Sequence, residues 1–338
     1  MDTLVRKTVV TQRKLKYTYY VSPTGQATKD CPALFFVHGF PDSAQLWSDV
    51  IDDLRGLPNK IIVPDCLGYG GTDKPDDINL YAYQDQANDL IDILRNEQAA
   101  DGGAVVGIGH DWGSMLVPRT YLHHRGIFCG MALFTGGYLV PTAEPFDLDG
   151  ANTFTEKILG YPQLAYWEFF TAPDAGDVID RHLDRMWMVL HGAPDGWMKA
   201  MFCEKGAIRR FLLGDQQVPL RPFAQTPRRK EYFLQQFSPA NGGFGPALQM
   251  YKAMYANVQM ESDKMLLKDS LVIDVPFLHA VCTGDAVSVP ETMIAQAKAM
   301  NLVPKLKEVV IDSGHWCPME NPQEVAEQVR QFLLNELA

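Results

Sequence analysis

Hydrophobic residues are concentrated in short runs along the first 142 residues of the chain. Four runs that are apolar almost throughout and bounded by turn-forming residues are ALFFV (33–37), KIIVPD (60–65), AVVGIG (104–109) and FCGMALF (128–134). Such runs are typical of parallel strands that are buried on both faces. Stretches with helical spacing alternate with them, at 43–54, at 83–95 and from about Ser114. This alternation predicts an α/β fold with a mostly parallel sheet.

The pattern changes between residues 143 and 260. Aromatic residues and methionines become dense there, as in YWEFF, RMWMVLHG and QMYKAMYANVQM, and no β-type run occurs. A long segment of this kind, with helical spacing and no strands, predicts a mainly helical insertion. We therefore expect a cap domain over residues 143–260.

The α/β pattern returns after the insertion. Strands are predicted within VPFLHAVCTGD (275–285) and KEVVIDSGH (307–315), with helices near 291–300 and at 322–336. At the other end of the chain, TLVRKTVVT and KYTYYVS are expected to pair as an opening hairpin. We therefore predict a core domain built from 1–142 and 261–338, in which a mostly parallel central sheet is flanked by helices.

Composition narrows the class of protein. The chain has 338 residues, of which 46% are hydrophobic and 21% charged, as in an ordinary globular enzyme. Its net charge is −11 without a basic cluster, which argues against nucleic-acid binding, and no apolar stretch approaches the ~18 residues of a membrane span. The six cysteines lack paired spacing and no HExxH-type metal motif occurs. We expect reduced thiols, no metal or other cofactor, no signal peptide and a cytoplasmic location.

The motif Gly109-His110-Asp111-Trp112-Gly113 directly follows a buried apolar run. Its spacing is that of the nucleophile elbow of serine hydrolases, a sharp strand-to-helix turn that exposes one side chain, but Asp111 stands where the serine would be. A serine that attacked saturated carbon would form an ether, which water does not cleave at a useful rate. A carboxylate forms an ester, which can be hydrolysed. The motif therefore points to an alkylating substrate, such as an epoxide or an alkyl halide.

Asp285 and His315 follow later predicted strands, in the chain order nucleophile, acid, histidine. The carboxyl ends of parallel strands meet at one edge of a sheet, so the three side chains are expected in one crevice. His315 would remove a proton from the water that attacks the ester, and Asp285 would orient its imidazole. The backbone N–H groups of Phe40 and Trp112 are expected to form the oxyanion hole.

Five segments carry a resemblance to a known family. HGFPDSAQLW, PDCLGYGGTDKP, GHDWGSML, TGDAVSVP and SGHWCPMENP are similar, in order and across nearly the full chain, to the successive motifs of α/β-hydrolase-fold epoxide hydrolases. The resemblance implies the α/β-hydrolase fold with an inserted cap. It also implies that a small apolar epoxide is opened to a vicinal diol through a covalent hydroxyalkyl ester on Asp111, with water as the second substrate and no cofactor. The oligomeric state stays open between monomer and homodimer.

The resemblance directs attention to tyrosines of the cap. Epoxide hydrolases of this kind use two cap tyrosines to donate hydrogen bonds to the epoxide oxygen, and Tyr166 in LAYWEFFTAP and Tyr251 in QMYKAMYANVQ match their segments. Tyr161 and Tyr255 lie close enough along the chain to remain alternatives. Substrate contacts are further expected from His38, Pro41, Trp167 and Trp316.

Two other functions remain open. A haloalkane dehalogenase would share the aspartate, the histidine and Trp112, and would need N–H donors around the departing halide. Phe40 occupies the position where such relatives place an asparagine, but Trp167, Trp187 and Trp197 are candidates for a second donor. A hydrolase-fold protein that only binds a small molecule is the third possibility, although such a protein is expected to have lost part of its triad.

Overall fold

The computed structural model describes residues 1–100 and 102–337. Within them, one sheet of eight strands runs through the molecule. The strands are Val5–Val10 (β1), Lys16–Val21 (β2), Ala33–Val37 (β3), Ile61–Pro64 (β4), Val105–His110 (β5), Phe128–Phe134 (β6), Phe277–Cys282 (β7) and Leu306–Ile311 (β8). Each lies within or beside the run that predicted it, and β3 and β6 match their runs residue for residue.

The strands follow the order β1-β2-β4-β3-β5-β6-β7-β8 across the sheet. β1 and β2 form the expected antiparallel hairpin, and β2 is also antiparallel to β4. All other neighbours are parallel. Every residue of β3, β4 and β5 is buried, because helices cover both faces of the sheet. The carboxyl ends of β3, β5, β7 and β8 therefore meet at one edge.

Sixteen α-helices occur in the described ranges. In chain order they are Ser48–Asp53 (α1), Tyr83–Asn96 (α2), Trp112–His123 (α3), Leu148–Leu159 (α4), Trp167–Phe170 (α5), Ala175–Arg181 (α6), Leu183–His191 (α7), Trp197–Phe202 (α8), Ala207–Leu213 (α9), Pro227–Gln236 (α10), Gln249–Tyr255 (α11), Val258–Leu266 (α12), Pro290–Met293 (α13), Ala295–Ala299 (α14), Cys317–Glu320 (α15) and Pro322–Glu336 (α16). The molecule thus has the α/β-hydrolase architecture, with helices α4–α12 between β6 and β7.

Three helix boundaries differ from the sequence-based expectation. The helix expected over 43–54 opens with a 3-10 turn before α1, and the helix expected over 291–300 is divided into α13 and α14. α3 begins at Trp112, two residues before Ser114, because the elbow turn is completed within Asp111 itself. α12 crosses position 260, where the cap was expected to end, and the limits of the two domains stay a prediction.

All six cysteines lie in the described ranges as free thiols, and four of them are buried, as the unpaired spacing predicted. No described helix is both long and apolar enough to cross a bilayer.

Candidate active site

The elbow turn places Asp111 at the carboxyl end of β5, directly before α3. Its backbone adopts φ 54° and ψ −121°, a conformation that non-glycine residues rarely populate and that costs about 1–3 kcal/mol. The turn also brings α3 close to the neighbouring strand. A Cβ atom on Gly113 would lie 2.1 Å from the carbonyl oxygen of Val37, so only glycine fits there.

The Asp111 carboxylate is held by the loop after β3. The Phe40 amide donates a hydrogen bond to Oδ1 over 2.7 Å, and the neighbouring Trp112 amide also lowers the pKa of this carboxyl group. The two amides expected as an oxyanion hole therefore already meet at this carboxylate. The Asp111 side chain is 19% exposed, so a substrate can reach it.

His315 and Asp285 complete the group that the sequence predicted. Nδ1 of His315 donates to Oδ2 of Asp285 over 2.7 Å, while Nε2 lies 3.6 Å from Oδ2 of Asp111. The second oxygen of Asp285 accepts from the amides of Val287 and Ser288 at 2.9 and 3.0 Å. The imidazole is therefore fixed on its Nδ1 side and leaves Nε2 facing the carboxylate at more than hydrogen-bonding distance.

Tyr166 and Tyr251 come together from two cap segments. Tyr166 directly precedes α5 and Tyr251 lies in α11, yet their ring centroids are 5.9 Å apart. The Tyr251 ring also meets Phe40 and Trp112 edge-on at 5.0 and 5.1 Å. Burial raises the pKa of both phenols, and the Asp111 charge raises these pKa values further. Both phenols are therefore protonated at neutral pH and can donate hydrogen bonds.

A cavity of about 620 Å³ opens onto Asp111 and Tyr166. Its lining is largely apolar, with Trp112, Met115, Leu139, Phe146, Leu164, Trp167, Met254 and Val287 among its residues. A second cavity, of about 480 Å³, lies between the loop after β3 and α10 and does not include Asp111. Because the larger of the two cavities contains Asp111, it is the candidate substrate site.

Of the four residues expected to contact substrate, the structure brings Trp167 alone to this cavity. Pro41 lines the second cavity. Both ring nitrogens of His38 are used within the loop, by the Gly39 carbonyl and the Cys66 amide. Trp316 packs against His315, with its indole N–H directed to the Asp42 carboxylate. None of these three residues is among those that line the larger cavity, and their contact with substrate stays a prediction.

The alternative tyrosines and tryptophans are placed elsewhere. The Tyr161 hydroxyl donates to the Ala286 carbonyl, and Tyr255 is 52% exposed on the surface. The indole N–H groups of Trp187 and Trp197 donate to backbone carbonyls, at Ala224 and at residues 188 and 189. Among the described residues, the site therefore favours Tyr166, Tyr251 and Trp167 over these neighbours.

The model of the Alpha/beta hydrolase family matches residues 34–328, which is most of the chain and includes every group of the site. The chain belongs to this family. The crystal structure of Epoxide Hydrolase A from Mycobacterium thermoresistibile superposes on this chain with a TM-score of 0.77 at 23% sequence identity. The alignment covers 98% of this chain and 99% of that one. At 23% sequence identity, this superposition shows a similarity of fold alone.

Curated relatives are similarly distant in sequence. Epoxide hydrolase A of Mycobacterium tuberculosis is 25% identical over 323 residues, which cover 89% of this chain and 90% of that protein. Bifunctional epoxide hydrolase 2 of Rattus norvegicus is 26% identical over 309 residues, 90% of this chain and 52% of that protein. This member of the alpha/beta hydrolase family thus spans about half the length of the rat relative.

Charge within the site changes the pKa of its two central groups. Burial alone would lower the pKa of His315, but the Asp285 carboxylate and, more weakly, Asp111 raise it to about 9. Burial raises the pKa of the Asp111 carboxyl, an effect opposed by His315 and by the amides of Phe40 and Trp112. At neutral pH, His315 is therefore protonated beside the Asp111 carboxyl group.

Sequence reasoning missed two carboxylates that touch this site. Asp42 accepts from the Trp316 indole over 3.1 Å, and burial raises the pKa of its carboxyl to about 7. Glu320 accepts from backbone amides on both sides of His315. Both residues lie in segments that were recognised, HGFPDSAQLW and SGHWCPMENP, but nothing local distinguishes them from surface carboxylates. No cluster of three or more His, Cys, Asp or Glu side chains suited to a metal ion occurs in residues 1–100 and 102–337.

Proposed function

We propose that this protein hydrolyses epoxides to vicinal diols through a covalent ester on Asp111. One observation carries the proposal: an elbow carboxylate lies beside a His–Asp pair, and its charge raises the pKa values of two protonated cap phenols. The carboxylate suits attack on saturated carbon, the phenols suit a poor oxygen leaving group, and the His–Asp pair suits the hydrolysis of an ester. The names of the curated relatives support the same substrate class.

In the first step, Asp111 attacks one ring carbon of the epoxide. Because the Phe40 amide holds Oδ1, we expect Oδ2 to form the new C–O bond while Oδ1 becomes the carbonyl oxygen of the ester. The ring C–O bond breaks, and its oxygen takes a proton from Tyr166 or Tyr251. The product of this step is a hydroxyalkyl ester.

In the second step, water attacks the carbonyl carbon of the ester. Ester formation removes the negative charge of Asp111, one of the charges that raise the pKa of His315, so this pKa falls. His315 then gives its proton, through solvent, to the phenolate that ring opening left on Tyr166 or Tyr251, and Nε2 becomes available as a base. His315 takes a proton from the water, and the amides of Phe40 and Trp112 stabilise the oxyanion on Oδ1. The tetrahedral intermediate collapses by breaking the bond between the carboxyl carbon and the alkyl oxygen. The departing alkoxide takes the proton left on the new carboxyl group, so the diol leaves, Asp111 regains its carboxylate and His315 is protonated again.

The lining of the substrate cavity supports an apolar epoxide. Around Asp111 and Tyr166 most of the wall is aliphatic or aromatic, including Trp112, Phe146 and Trp167. Such a wall binds hydrocarbon by burial of apolar surface and offers few partners to charged substrates.

The His315→Gln protein tests the proposal. Ring opening is expected to continue while hydrolysis stops, so intact-protein mass spectrometry with styrene oxide should detect a mass increase of one epoxide on Asp111. His124→Gln, with the same change at the end of α3, should hydrolyse styrene oxide normally and accumulate no adduct. A His315→Gln protein that never carries the adduct would exclude the covalent route.

A second candidate function is haloalkane dehalogenation. It is favoured by the indole N–H groups of Trp112 and Trp167, which are buried at the cavity and have no hydrogen-bond partner among the described residues. Two such donors suit a halide ion, which departs without a proton. Measuring diol from styrene oxide and bromide from 1-bromobutane with one preparation distinguishes the two activities.

A further inference from the structure

The loop that carries His315 is fixed by a carboxylate at the end of α15. Oε2 of Glu320 accepts the amide N–H of Gly314 over 3.0 Å, and Oε1 accepts the amide N–H of Trp316 over 3.2 Å. These amides belong to the residues on either side of His315. One carboxylate therefore holds the main chain both before and after the catalytic imidazole.

An arginine from the cap completes this arrangement. Nη1 of Arg221 lies 2.5 Å from Oε2 of Glu320. The backbone of Arg221, between α9 and α10, is fixed within the cap by a hydrogen bond from its N–H to the His191 carbonyl. We call Glu320, Arg221 and the amides of Gly314 and Trp316 the Glu320 cluster. It connects the cap directly to the histidine loop of the core.

The packing of the Glu320 cluster requires glycine at position 314. A Cβ atom there would lie 2.2 Å from Nη1 of Arg221 and 2.6 Å from Oε1 of Glu320. The ion pair therefore lies directly against the backbone of the loop. The Glu320 side chain is only 12% exposed, so loss of one partner leaves a poorly solvated charge.

The remaining contacts of His315 come from other directions. Asp285 holds Nδ1, and Nε2 of His110 meets the His315 carbonyl oxygen at 2.8 Å. The side chain and carbonyl are thus fixed by core residues, whereas the flanking amides are fixed by the Glu320 cluster. Of these supports, only the Glu320 cluster includes a cap residue.

We propose that Glu320 is a positioning residue for His315 and that Arg221 makes this positioning depend on the docked cap. The proposal rests on the proposed function, because it concerns the base of ester hydrolysis. Ring opening needs Asp111 and the cap tyrosines, but hydrolysis also needs Nε2 of His315 aligned with a water. Loosening of the loop should therefore slow the second step selectively.

The test compares the two steps in Glu320→Gln by rapid-quench measurement with styrene oxide. The glutamine side chain has one carbonyl oxygen and can accept from only one of the two backbone N–H groups. Its NH₂ group, which is itself a donor, would face the other N–H group. We expect hydrolysis of the ester to slow by about 10- to 100-fold, as for a catalytic group displaced by up to ~1 Å, with ring opening changed less than about twofold. The ester should accumulate in the mass spectrum during turnover.

Glu327→Gln is the matched control. Glu327 lies in α16, its side chain is 46% exposed, and it accepts hydrogen bonds from Arg330 and Gln331 of the same helix. The same chemical change there should leave both steps unaltered. A Glu320→Gln protein that slows both steps equally, or neither, would overturn the proposal.

Two further variants address folding and the role of the cap. In Gly314→Ala the added methyl group meets only the ends of the Arg221 and Glu320 side chains, so the fold should persist while the Glu320 cluster is displaced. Arg221→Met removes the cap residue alone. Both should slow hydrolysis by about 3- to 10-fold, less than Glu320→Gln, with ring opening preserved. Normal hydrolysis in both variants would contradict the coupling to the cap.

The outcome separates this proposal from the proposed function. If His315→Gln forms the ester but Glu320→Gln hydrolyses it normally, the positioning role is wrong and the covalent mechanism stands. If His315→Gln forms no ester, the covalent mechanism is wrong, and the role of Glu320 is wrong with it.

Discussion

The two sides of the candidate active site differ in how their polar groups are held. On the sheet side, Asp285 accepts three hydrogen bonds, and Asp111 accepts one from the Phe40 amide. On the cap side, Tyr251 is surrounded by rings, with Trp167 and Tyr166 edge-on at 5.0 and 5.9 Å. The sheet side is fixed by hydrogen bonds and the cap side by aromatic packing.

This difference matches the chemistry that each side would perform. Charge that develops on an ester carbonyl is stabilised best by donors that are already in place. A leaving oxygen instead needs donors that are not yet engaged, because a phenol that already donates elsewhere has no proton to offer. Under the proposed mechanism, the preorganised polar groups on the sheet side would serve ester hydrolysis, and the phenols on the cap side would serve ring opening.

The largest effect is expected from loss of the nucleophile on the sheet side. In Asp111→Asn the neutral amide does not attack the epoxide, and we expect turnover to fall by at least about 10⁴-fold with no adduct at any time. Steady-state assay and intact-mass measurement check this, with peptide mapping to verify that the amide persists. Asp312 is the control: it is an exposed aspartate near His315, and its side chain accepts a hydrogen bond from the Thr283 hydroxyl. The Asp312→Asn protein should keep full activity. An active Asp111→Asn protein would identify another nucleophile.

The next effect is expected from the acid that orients His315. Asp285→Asn removes the charge that contributes most to raising the pKa of His315, so this pKa should fall below about 9. We expect ester hydrolysis to slow by about 10³- to 10⁴-fold, with ring opening much less affected. NMR titration of His315 and single-turnover kinetics measure the two quantities. An unchanged pKa would show that Asp285 does not control the imidazole.

Changes on the cap side should affect the opposite step. Tyr166→Phe and Tyr251→Phe each remove one donor, and we expect ring opening to slow by about 10²-fold in either protein, with the double variant nearly inactive. Ester hydrolysis should be preserved. Tyr255→Phe, on the exposed part of α11, is the control and should behave as the wild type. Slower hydrolysis with normal ring opening would reverse the assignment of the two sides.

The smallest effect concerns stability against pH. The pKa of His315 is about 9 in the folded protein and ordinarily near 6.5, so the folded state holds the extra proton between these values. The resulting stabilisation is complete below pH 6.5 and is lost as the pH rises through 9. Relative to His315→Gln, the free energy of unfolding of the wild type should fall over this interval, by at most ~3 kcal/mol. Urea unfolding of both proteins at pH 6 and 9.5 measures it, and a constant difference would contradict the raised pKa.

Much of this arrangement was predictable from local sequence. A strand buried on both faces must be apolar throughout, so ALFFV and FCGMALF marked β3 and β6 to the residue. The elbow glycines marked Asp111, and strand ends marked the positions of Asp285 and His315. The choice of Tyr166 over Tyr161 rested on resemblance, since both lie in aromatic surroundings that packing alone explains.

Other features could not be read from the chain. The sequence does not distinguish Trp167 from Trp187 and Trp197. The fold shows that the indole N–H groups of Trp187 and Trp197 donate hydrogen bonds to backbone carbonyls. In the sequence, Asp42 and Glu320 cannot be distinguished from surface carboxylates. In the folded protein, the loop after β3 and the cap surround them. Their partners are distant along the chain: the residue numbers of Asp42 and Trp316 differ by 274, and those of Arg221 and Glu320 differ by 99.

Residue order was sufficient to predict the sheet, the elbow and the aspartate at its centre, because strand burial and a strained turn each constrain a few consecutive residues. The tertiary structure alone decided which aromatic residues face Asp111, how far the pKa of His315 rises, and that a cap arginine reaches the histidine loop. Those properties depend on distances between groups far apart in the chain, and electrostatic and packing energies vary too steeply with distance for residue order to specify them.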